Sequence, residues 1–334
     1  MESHLVTGAT GLVGMHIVLD LLNQNKKVCA TFTKNSNRSI IKHVFNHYGF
    51  SNYYDKVKWI KMDLEDVTEV YQAIKGVDFV YHSGAIVSFN KSDYEQMRRI
   101  NIEGTTNIVN ACLEHKIKKL AFISSVASIG REGKGKYSEK NKWNSRKENS
   151  FYALTKYKAE NEVWRGIEEG LNAVITNPGI IIGPSHWGRS STTIFKQIHK
   201  GLSYFPEGKN GFIDVRDVAR ATIALMDSKI NRERFILVGE NLPYKSVFDD
   251  IALCLNKPKP YKKATKSLLE IAWRLEAIRC FITNKKQSIT KETARTASQI
   301  NIYENQKIIK ALNYNFKTIK EAISNTSKFL LKVK

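Results

Sequence analysis

The turn that follows the opening strand constrains the fold more than any other part of this sequence. His4-Leu5-Val6 is a short apolar run that leads into Thr7-Gly-Ala-Thr-Gly-Leu-Val-Gly14 and then into an apolar helical pattern. Three glycines spaced three residues apart allow a tight turn and let backbone amides approach a pyrophosphate. The N-terminus of the following helix adds unpaired N–H donors and partial positive charge. Gly8, Gly11 and Gly14 therefore predict a dinucleotide-binding strand–turn–helix.

Short apolar runs and helical patterns alternate through the first half of the chain. The predicted strands after the first are Val28–Phe32, Val57–Met62, Phe79–Tyr81, Leu120–Ser124 and Ala173–Thr176. The predicted helices between them are Leu12–Asn23, Val67–Ala73, Asn101–Glu114 and Tyr152–Glu168. Strands separated by helices pair in parallel through right-handed crossovers, so the pattern predicts an α/β fold with a doubly wound parallel sheet.

The pattern loosens after Pro178. A further strand is predicted at Arg234–Val238, and helices are predicted at Ser246–Leu255 and Ser267–Ile282, with two more near the C-terminus. We interpret residues 1–178, with 210–240 returning to them, as a dinucleotide-binding Rossmann domain. Residues 179–209 and 241–334 form a smaller C-terminal substrate-binding lobe in this interpretation.

The chain of 334 residues carries 53 Lys and Arg against 32 acidic residues, a net charge of +21. Because the basic residues recur without one dominant run, we favour a dispersed surface charge over a nucleic-acid or lipid-binding face. The most apolar helical segment, Leu268 to Ile282, is interrupted by four charged residues and predicts no membrane span. The four cysteines lack paired metal spacing, and no signal peptide is visible, so we expect reduced thiols, no metal site and a cytoplasmic location.

A Tyr-x-x-x-Lys pair at Tyr152 and Lys156 places both side chains on one helix face. The pair alone is unspecific, because the chain repeats it at Tyr54/Lys58, Tyr71/Lys75 and Tyr303/Lys307. Only Tyr152 lies in a helix that follows a strand ending in Ser124-Ser125, where the carboxyl edge of a parallel sheet holds ligands. The context favours Tyr152 and Lys156 as the functional pair.

Together these motifs resemble the extended short-chain dehydrogenase/reductase family, of the NAD-dependent epimerase/dehydratase type. The resemblance rests on the glycine turn, Asp63-Leu64, His82-Ser83-Gly84-Ala85, Asn101, Ser124-Ser125, Tyr152/Lys156, Asn177-Pro178-Gly179, Gly183-Pro184 and Phe212-Ile-Asp-Val-Arg-Asp-Val-Ala219, in family order. The tail, with Ile289-Thr290 and Asn305-Gln306-Lys307-Ile308, is similar to the dihydroflavonol-reductase and hydroxysteroid-dehydrogenase branch.

The resemblance implies catalytic roles for four residues. Tyr152 is the general acid/base, and Lys156 lowers the pKa of the tyrosine and bonds the nicotinamide ribose. Ser125 holds the reacting oxygen, with Ser124 as the alternative, because Ser125 stands five residues before Gly130. Asn101 supports Lys156 through backbone and water, although a helix N-cap fits its position equally well.

Three further polar residues are expected to have structural roles and no part in catalysis. His82 is expected to be a packed histidine on the cofactor side of the site. Asp214 and Asp217 are expected to lie at a loop and helix start, with Asp217 capping or bracing, and carry no catalytic role.

The same resemblance implies a cofactor site and a small-molecule substrate. Its residues are Gly8, Thr10, Gly11, Leu12, Val13, Gly14, Lys34, Arg38, Asp63, Leu64, Ser83, Gly84, Ala85, Tyr152, Lys156, Pro178, Gly179 and Ile180. The second strand runs into Thr33-Lys-Asn-Ser-Asn-Arg38 without a carboxylate, which favours NADP over NAD. Arg189 is a candidate for binding a substrate carboxylate or phosphate, or for bracing its loop. A homodimer is a candidate assembly.

Three reactions are common in the family that the chain resembles: oxidation or reduction, epimerisation of a sugar, and dehydration of a sugar. Dehydratases of the family carry an Asp-Glu pair after the catalytic Ser/Thr, and this chain has Val126-Ala127 there, which cannot move protons. The apolar run Ile180-Ile181-Ile182 is closer to the reductase branch than to nucleotide-sugar epimerases. We therefore expect an NAD(P)-dependent oxidoreductase that acts on a carbonyl or a secondary alcohol. A nucleotide-sugar epimerase and a non-catalytic cofactor-binding regulator are the alternatives.

Overall fold

A computed structural model describes residues 2–131, 135–144, 149–283, 287 and 289–333. Residues 1, 132–134, 145–148, 284–286, 288 and 334 of the predicted domain and lobe lie outside the described residues. The strands in chain order are β1 (Ser3–Thr7), β2 (Lys27–Phe32), β3 (Lys58–Lys61), β4 (Phe79–His82), β5 (Lys119–Ile123), β6 (Lys136–Tyr137), β7 (Ala173–Pro178), β8 (Ile180–Ile182), β9 (Tyr204–Pro206), β10 (Lys209–Asp214), β11 (Glu233–Leu237), β12 (Glu240–Pro243), β13 (Lys262–Ala264) and β14 (Ile302–Tyr303).

The α-helices flank these strands. They are α1 (Leu12–Asn23), α2 (Ser39–His47), α3 (Val67–Ile74), α4 (Tyr94–Met97), α5 (Gly104–Glu114), α6 (Phe151–Glu168), α7 (Thr192–His199), α8 (Val215–Asp227), α9 (Tyr244–Cys254), α10 (Lys266–Thr283), α11 (Lys291–Ala297), α12 (Gln306–Leu312) and α13 (Ile319–Lys332). A π-helical segment, Arg98–Glu103, joins α4 to α5, and 3₁₀ turns form at Ser51–Lys56, Lys91–Asp93 and Val126–Ser128.

The central sheet has seven strands in the order β11-β7-β5-β4-β1-β2-β3. Every neighbouring pair in it is parallel. The chain leaves β1 toward β2 and β3 on one side and returns to β4 on the other, so the strand order reverses between β1 and β4. Ligands of doubly wound sheets bind outside the carboxyl ends of the strands at such a point. The predicted doubly wound Rossmann-like fold is confirmed.

The central strands are buried on both faces, as their composition requires. All residues of β5 and β7 are buried, because helices cover both sides of the sheet and leave no polar face to alternate with. One hydrophobic cluster includes Ile108 of α5 and Val163 of α6 against one face. The other includes Ile17 of α1 and Ile223 of α8.

Helices of the second half of the chain pack into the hydrophobic cluster that contains Ile17 and Ile223. Phe195 of α7, Ile251 of α9, Ile308 of α12 and Phe329 of α13 are buried in the cluster that also holds Ile17. The described residues also form three small sheets, β12-β10-β8, β13-β9 and β14-β6. The boundary between a cofactor domain and a substrate lobe stays a prediction.

The predicted element bounds hold within a few residues, with one informative exception. The helix expected to begin at Asn101 begins at Tyr94, and Asn101 lies inside the π-helical segment. The helix N-cap alternative for Asn101 is therefore wrong. Among the described residues, no helix is long and apolar enough to cross a membrane.

Candidate active site

The glycine turn between β1 and α1 leaves room only for backbone. Gly8 has a φ of +62°, and a Cβ there would lie 2.6 Å from the backbone of Gly84. A Cβ on Gly14 would lie 2.3 Å from the carbonyl oxygen of Gly8, which accepts a hydrogen bond from the Gly11 N–H at 2.9 Å. These contacts pack the glycine turn closely against the start of α1.

The start of α1 fits an anionic group. Gly11 occupies the N-cap position and provides no side-chain cap, so no side chain competes for the first amides of the helix. Leu12 and Val13 are half-buried there, and Thr10 donates to the Ser36 Oγ at 3.4 Å. A pyrophosphate fits this cradle, because unpaired N–H donors and the helix dipole both favour negative charge.

The turn after β4 locks against the glycine turn. The Ser83 Oγ donates to the Thr7 carbonyl at 2.7 Å, and the Gly84 N–H donates to the Thr7 Oγ1 at 3.3 Å. The fully buried His82 ring bonds Thr7 Oγ1 at 2.7 Å and Thr105 Oγ1 at 3.0 Å. Burial lowers the pKa of His82 to about 3, so the ring is neutral and packed, as the sequence predicts.

Leu64 and Ala85 complete this side of the site. Asp63 and Leu64 follow β3, and the Leu64 side chain packs so closely that a Cβ on Gly84 would lie 2.9 Å from its Cδ1. Ala85 continues the turn after β4 and leads into Ile86, which Asn101 holds.

Cationic and aromatic groups meet beyond the end of β2. The Arg38 guanidinium stacks on the Phe32 ring at 4.3 Å and lies 5.8 Å from the Trp59 ring centre. Ser36 folds the loop back, because its Oγ accepts from the Thr33 N–H at 3.0 Å. A cavity of about 590 Å³ opens beside this loop, lined by Thr33, Lys34, Lys61, Met62, Asp63, Glu65, Asp66, Val67 and Glu69.

Tyr152 and Lys156 lie one turn apart near the start of α6. Ser150 caps this helix by accepting from the Ala153 N–H at 3.0 Å. The Lys156 Nζ donates to the Ile123 carbonyl at the end of β5 at 2.8 Å. Lys156 is 3% exposed, and burial lowers its pKa to about 7, an effect that the charge of Glu160 opposes.

Ser125 meets Tyr152 at the carboxyl end of β5. Burial raises the pKa of Tyr152 to about 12, and a hydrogen bond with Ser125 acts in the opposite direction. Ser125 also caps the short turn Val126–Ser128, with its Oγ accepting from the Ala127 N–H at 3.1 Å. Ser124 points elsewhere, since its buried hydroxyl donates to Glu160 Oε2 at 2.7 Å. The structure thus brings Ser125, Tyr152 and Lys156 together and leaves Ser124 in a packing role.

Asn101 ties two loops to α6. Its Oδ1 accepts from the Ile86 N–H at 2.8 Å, and its Nδ2 donates to the Ile86 carbonyl at 2.9 Å and to Thr155 Oγ1 at 3.1 Å. Thr155 in turn donates to the Tyr152 carbonyl at 2.8 Å. The side chain therefore reaches the helix through Thr155, and its described bonds do not include Lys156.

The remaining predicted residues follow β7 in the chain. Gly179 and Ile180 are half-buried beyond Pro178, and a Cβ on Gly179 would lie 2.5 Å from the Gly211 carbonyl oxygen. Arg189 is exposed on the loop before α7, where Thr192 Oγ1 accepts from its N–H at 3.1 Å. Its guanidinium makes no hydrogen bond to the described part of the chain.

The two aspartates of the 212–219 motif are structural, as predicted. Asp214 caps α8 by accepting from the Arg216 N–H at 2.8 Å. Asp217 braces the tail by accepting from the Lys317 N–H at 2.8 Å and from the Tyr314 hydroxyl at 3.1 Å. Within the described ranges, no His, Cys, Asp and Glu side chains group closely enough to hold a metal ion.

Sequence reasoning missed Ser36, Thr155 and Glu160. Ser36 and Thr155 are small polar residues whose partners become apparent only in the fold. Glu160 carried a detectable signal, because it stands one further turn along the face that bears Tyr152 and Lys156.

Comparison with known proteins identifies the class. Residues 4–239 match the model of the NAD dependent epimerase/dehydratase family, and the chain belongs to that family. It is 27% identical to "Putative dihydroflavonol 4-reductase" of Synechocystis sp., over 97% of this chain and 93% of that protein. It is 28% identical to tetraketide alpha-pyrone reductase 2 of Arabidopsis thaliana, over 68% of this chain and 74% of that one.

The fold comparison agrees. The crystal structure of gox2253 superposes with a TM-score of 0.82 at 26% identity, covering 100% of this chain and 99% of that one. The chain is an NAD(P)-dependent oxidoreductase of the extended short-chain dehydrogenase/reductase type. When bound, the nicotinamide of such a cofactor supplies or accepts the hydride.

Proposed function

We propose that this chain reduces a carbonyl group of a small molecule, with Tyr152 donating the proton to the carbonyl oxygen. The observation that carries the proposal is the meeting of Tyr152, Lys156 and Ser125 at the carboxyl end of β5, beside the glycine turn. Two relatives that are named as reductases support the choice of reaction.

The roles of the residues follow from their chemistry. Ser125 bonds the same oxygen that Tyr152 protonates and holds it in place. Lys156, on the same helix face, favours the phenolate that forms when the proton leaves. Asn101 keeps the Ile86 loop and Thr155 at fixed distances from Tyr152.

The protonation state of Tyr152 suits the role of proton donor. Because burial raises its pKa to about 12, the phenol holds its proton at pH 7 and begins the reaction as an acid. Oxidation of an alcohol needs the phenolate instead. The protonated phenol is therefore the form of Tyr152 that serves carbonyl reduction.

The proposal is tested with Tyr152→Phe. This change removes only a hydroxyl, so folding and cofactor binding should persist while carbonyl reduction falls by about two to four orders of magnitude. Absorbance of the nicotinamide, followed over a panel of carbonyls and alcohols, measures both directions. Tyr54→Phe, Tyr71→Phe and Tyr303→Phe alter the other Tyr-x-x-x-Lys pairs and should leave turnover nearly unchanged.

Two outcomes would contradict this function. Near-normal reduction by Tyr152→Phe would remove the proton donor that we assign. Conversion of a nucleotide sugar to its epimer without net change in nicotinamide absorbance would identify the epimerase alternative, which the same three side chains could also serve.

We also propose that the cofactor is NADP. The loop after β2 has no carboxylate to accept hydrogen bonds from the adenosine ribose, whereas Lys34 and Arg38 can meet a 2′-phosphate. The other residues that we expect to hold the cofactor are the glycine turn, Asp63, Leu64, Ser83, Gly84, Ala85, Pro178, Gly179 and Ile180. Arg189 is retained as a substrate contact. The homodimer, the cytoplasmic location and the lack of specific nucleic-acid binding stay predictions.

A further inference from the structure

We propose that Glu160 is a positioning residue for the reaction: its buried carboxylate holds the turn that carries Ser125 against the helix that carries Tyr152. The inference rests on the proposed function for its catalytic meaning. Its structural content, the placement of Ser125 relative to Tyr152, can be measured without turnover.

Glu160 gathers donors from separate strands at one oxygen. It lies on α6 one turn beyond Lys156, and its side chain is 2% exposed. Its Oε2 accepts from Ser124 Oγ at 2.7 Å, from Ser128 Oγ at 2.7 Å and from Asn177 Nδ2 at 2.9 Å. Ser124 and Ser128 follow β5, and Asn177 lies near the end of β7, so a single carboxylate joins two strand ends to α6.

These bonds enclose Ser125 on both sides. Ser124 precedes it, and Ser128 is the last residue of the turn that Ser125 begins. The Ser125 carbonyl oxygen accepts from Asn177 Nδ2 at 3.1 Å and lies 2.8 Å from Ser128 Oγ, whose single proton it shares with Glu160 Oε2. Both groups that fix the Ser125 backbone are therefore themselves fixed by Glu160. A shift of the carboxylate must move Ser125 relative to Tyr152.

The negative charge of Glu160 is balanced by the positive charge of Arg234. Glu160 Oε1 accepts from Arg234 Nη1 at 3.0 Å and from Trp164 Nε1 at 3.4 Å. Removing one partner of a buried ion pair is costly, because the other charge stays buried without its counterion. Arg234 comes from β11, two strands away from β5 in the sheet, and holds the second oxygen of the carboxylate.

A carboxylate is required here and a carboxamide is a poor substitute. Asn177 Nδ2, Arg234 and Trp164 can only donate, so the NH₂ group of a glutamine would face a donor whichever way it turned. The serine hydroxyls can rotate and accept, but the bond to Asn177 or the pair with Arg234 would be lost. Glu160→Gln therefore disturbs the Ser125 turn with little change in volume.

The first experiment compares Glu160→Gln with Glu162→Gln. Glu162 is on the same helix, and its carboxylate accepts from Arg165 Nε at 3.0 Å, away from the Ser125 turn. We expect kcat to fall about 10- to 100-fold in Glu160→Gln, since small misplacements of a reacting group cost this much. KM and the cofactor dissociation constant should change by less than about threefold on the same reasoning, and Glu162→Gln should match the wild type.

A double-mutant cycle with Ser125→Ala separates positioning from general stability. If Glu160 acts through Ser125, the loss of kcat in the double variant should be close to the loss in Ser125→Ala alone. If the losses of kcat in Glu160→Gln and Ser125→Ala multiply in the double variant, the proposal is wrong. An unchanged kcat in Glu160→Gln would also overturn it.

Two further measurements cover the remaining outcomes. If Glu160→Gln does not fold, Ser128→Ala removes the Ser128 contacts to Glu160 and Ser125, together with those to Ser124 and Asn177, and keeps the carboxylate. A kcat equal to the wild type would then refute the inference. If the wild type reduces no carbonyl, the proposed function fails by itself. Crystal structures of the wild type and Glu160→Gln then decide the inference, through a longer Ser125 Oγ to Tyr152 hydroxyl distance or an unchanged one.

Discussion

Thr33 and Ser36 occupy the region beyond β2 where an acidic residue would favour NAD. Ser36 Oγ accepts from the Thr33 N–H at 3.0 Å and lies 3.1 Å from Thr33 Oγ1, so the loop satisfies its own polar groups without a carboxylate. The stacking of Arg38 on Phe32 orders a guanidinium that would otherwise lose side-chain entropy on binding a phosphate. At the scale of single residues, the proposed preference for NADP depends on this loop.

A Lys34→Ala/Arg38→Ala double variant tests this specificity. NADP affinity should fall about 10- to 100-fold, since charge-assisted hydrogen bonds to a phosphate contribute about 1.5–3 kcal/mol each and exposure reduces their effect. NAD affinity should change little, because NAD has no 2′-phosphate. Calorimetric titration of both cofactors measures the two constants.

Lys42→Ala is the matched control for this titration. Lys42 is on α2, and its ammonium lies over the Tyr54 ring at 4.6 Å, so the change removes a nearby positive charge with an aromatic contact of its own. Tighter binding of NAD than of NADP by the wild type would contradict the assignment. An NADP affinity unaffected by the double change would contradict it as well.

At the scale of elements, a buried lysine of β5 caps the C-terminus of α8, a helix that packs on the sheet. The Lys119 Nζ, at the start of β5, donates to the carbonyls of Leu225 at 2.6 Å, Met226 at 3.4 Å and Ser228 at 2.9 Å. These carbonyls lie at the C-terminus of α8, where the backbone has no helical partners and the helix dipole favours a positive charge. Lys119 thereby links the sheet to α8.

Lys119→Met should lower the free energy of unfolding by about 1–3 kcal/mol, because it leaves buried carbonyls without donors. The adjacent Lys118→Met is the control. Lys118 is exposed and pairs with Glu2 at 2.8 Å and Asp78 at 3.1 Å, so its loss should destabilise the protein much less than the loss of Lys119. Urea denaturation at pH 7 measures both, and equal effects would show that the capping argument is wrong.

The elements also show what the sequence could and could not predict. Continuous apolar runs identified β5 and β7, since strands covered on both faces need no polar alternation. The π-helical segment Arg98–Glu103 gave no signal. Its wider turn holds Asn101, whose amide pairs with the Ile86 backbone, and this contact is long-range in sequence. Helical periodicity cannot reveal a turn that depends on such a tertiary contact.

The residues of the site also fall into those that the sequence could predict and those that it could not. The spacing of Tyr152 and Lys156 and the position of Ser125 relative to Gly130 were local patterns and could be read directly. Apart from the bond to Trp164 within α6, the bonds of Glu160 reach residues between 17 and 74 positions away, which lie just after β5, on β7 and on β11. Such a network becomes visible only when the sheet order is known.

At the scale of the whole molecule, the C-terminal helix reaches the glycine turn through a chain of buried polar groups. Asn325 Nδ2 of α13 donates to the Tyr48 hydroxyl at 2.9 Å, and this hydroxyl lies 3.2 Å from His16 Nε2. His16 Nδ1 lies 2.8 Å from the Leu12 carbonyl in the first turn of α1. Burial lowers the pKa of His16 to about 4, so the link remains uncharged at neutral pH.

Phe329→Ala should test whether this end of the chain stabilises the cofactor side. Phe329 is 1% exposed, and its ring packs edge-on to His47 at 5.4 Å. The change should lower the free energy of unfolding by about 3–5 kcal/mol, the usual cost of a large buried cavity. It should also weaken cofactor binding, because α13 packs in the same cluster as α1.

Leu331→Ala provides the comparison. Leu331 is two residues further along α13 and 43% exposed, so its loss should cost less than about 1 kcal/mol. Chemical denaturation and cofactor titration of both variants give the two readouts. Unchanged cofactor affinity in Phe329→Ala would show that the tail and the glycine turn are energetically independent.

The two borders of the central sheet bear on how the protein avoids aggregation. β3 is only four residues long and has a lysine at each end, so a second chain would find a short and positively charged border. At the other border, Glu139 accepts from the Ile236 N–H at 2.9 Å, and Arg234 binds the Glu139 and Asn141 carbonyls, which covers part of β11. Neither border offers a long, open template for strand addition. Both borders are thus protected against edge-to-edge pairing with a second copy of the chain.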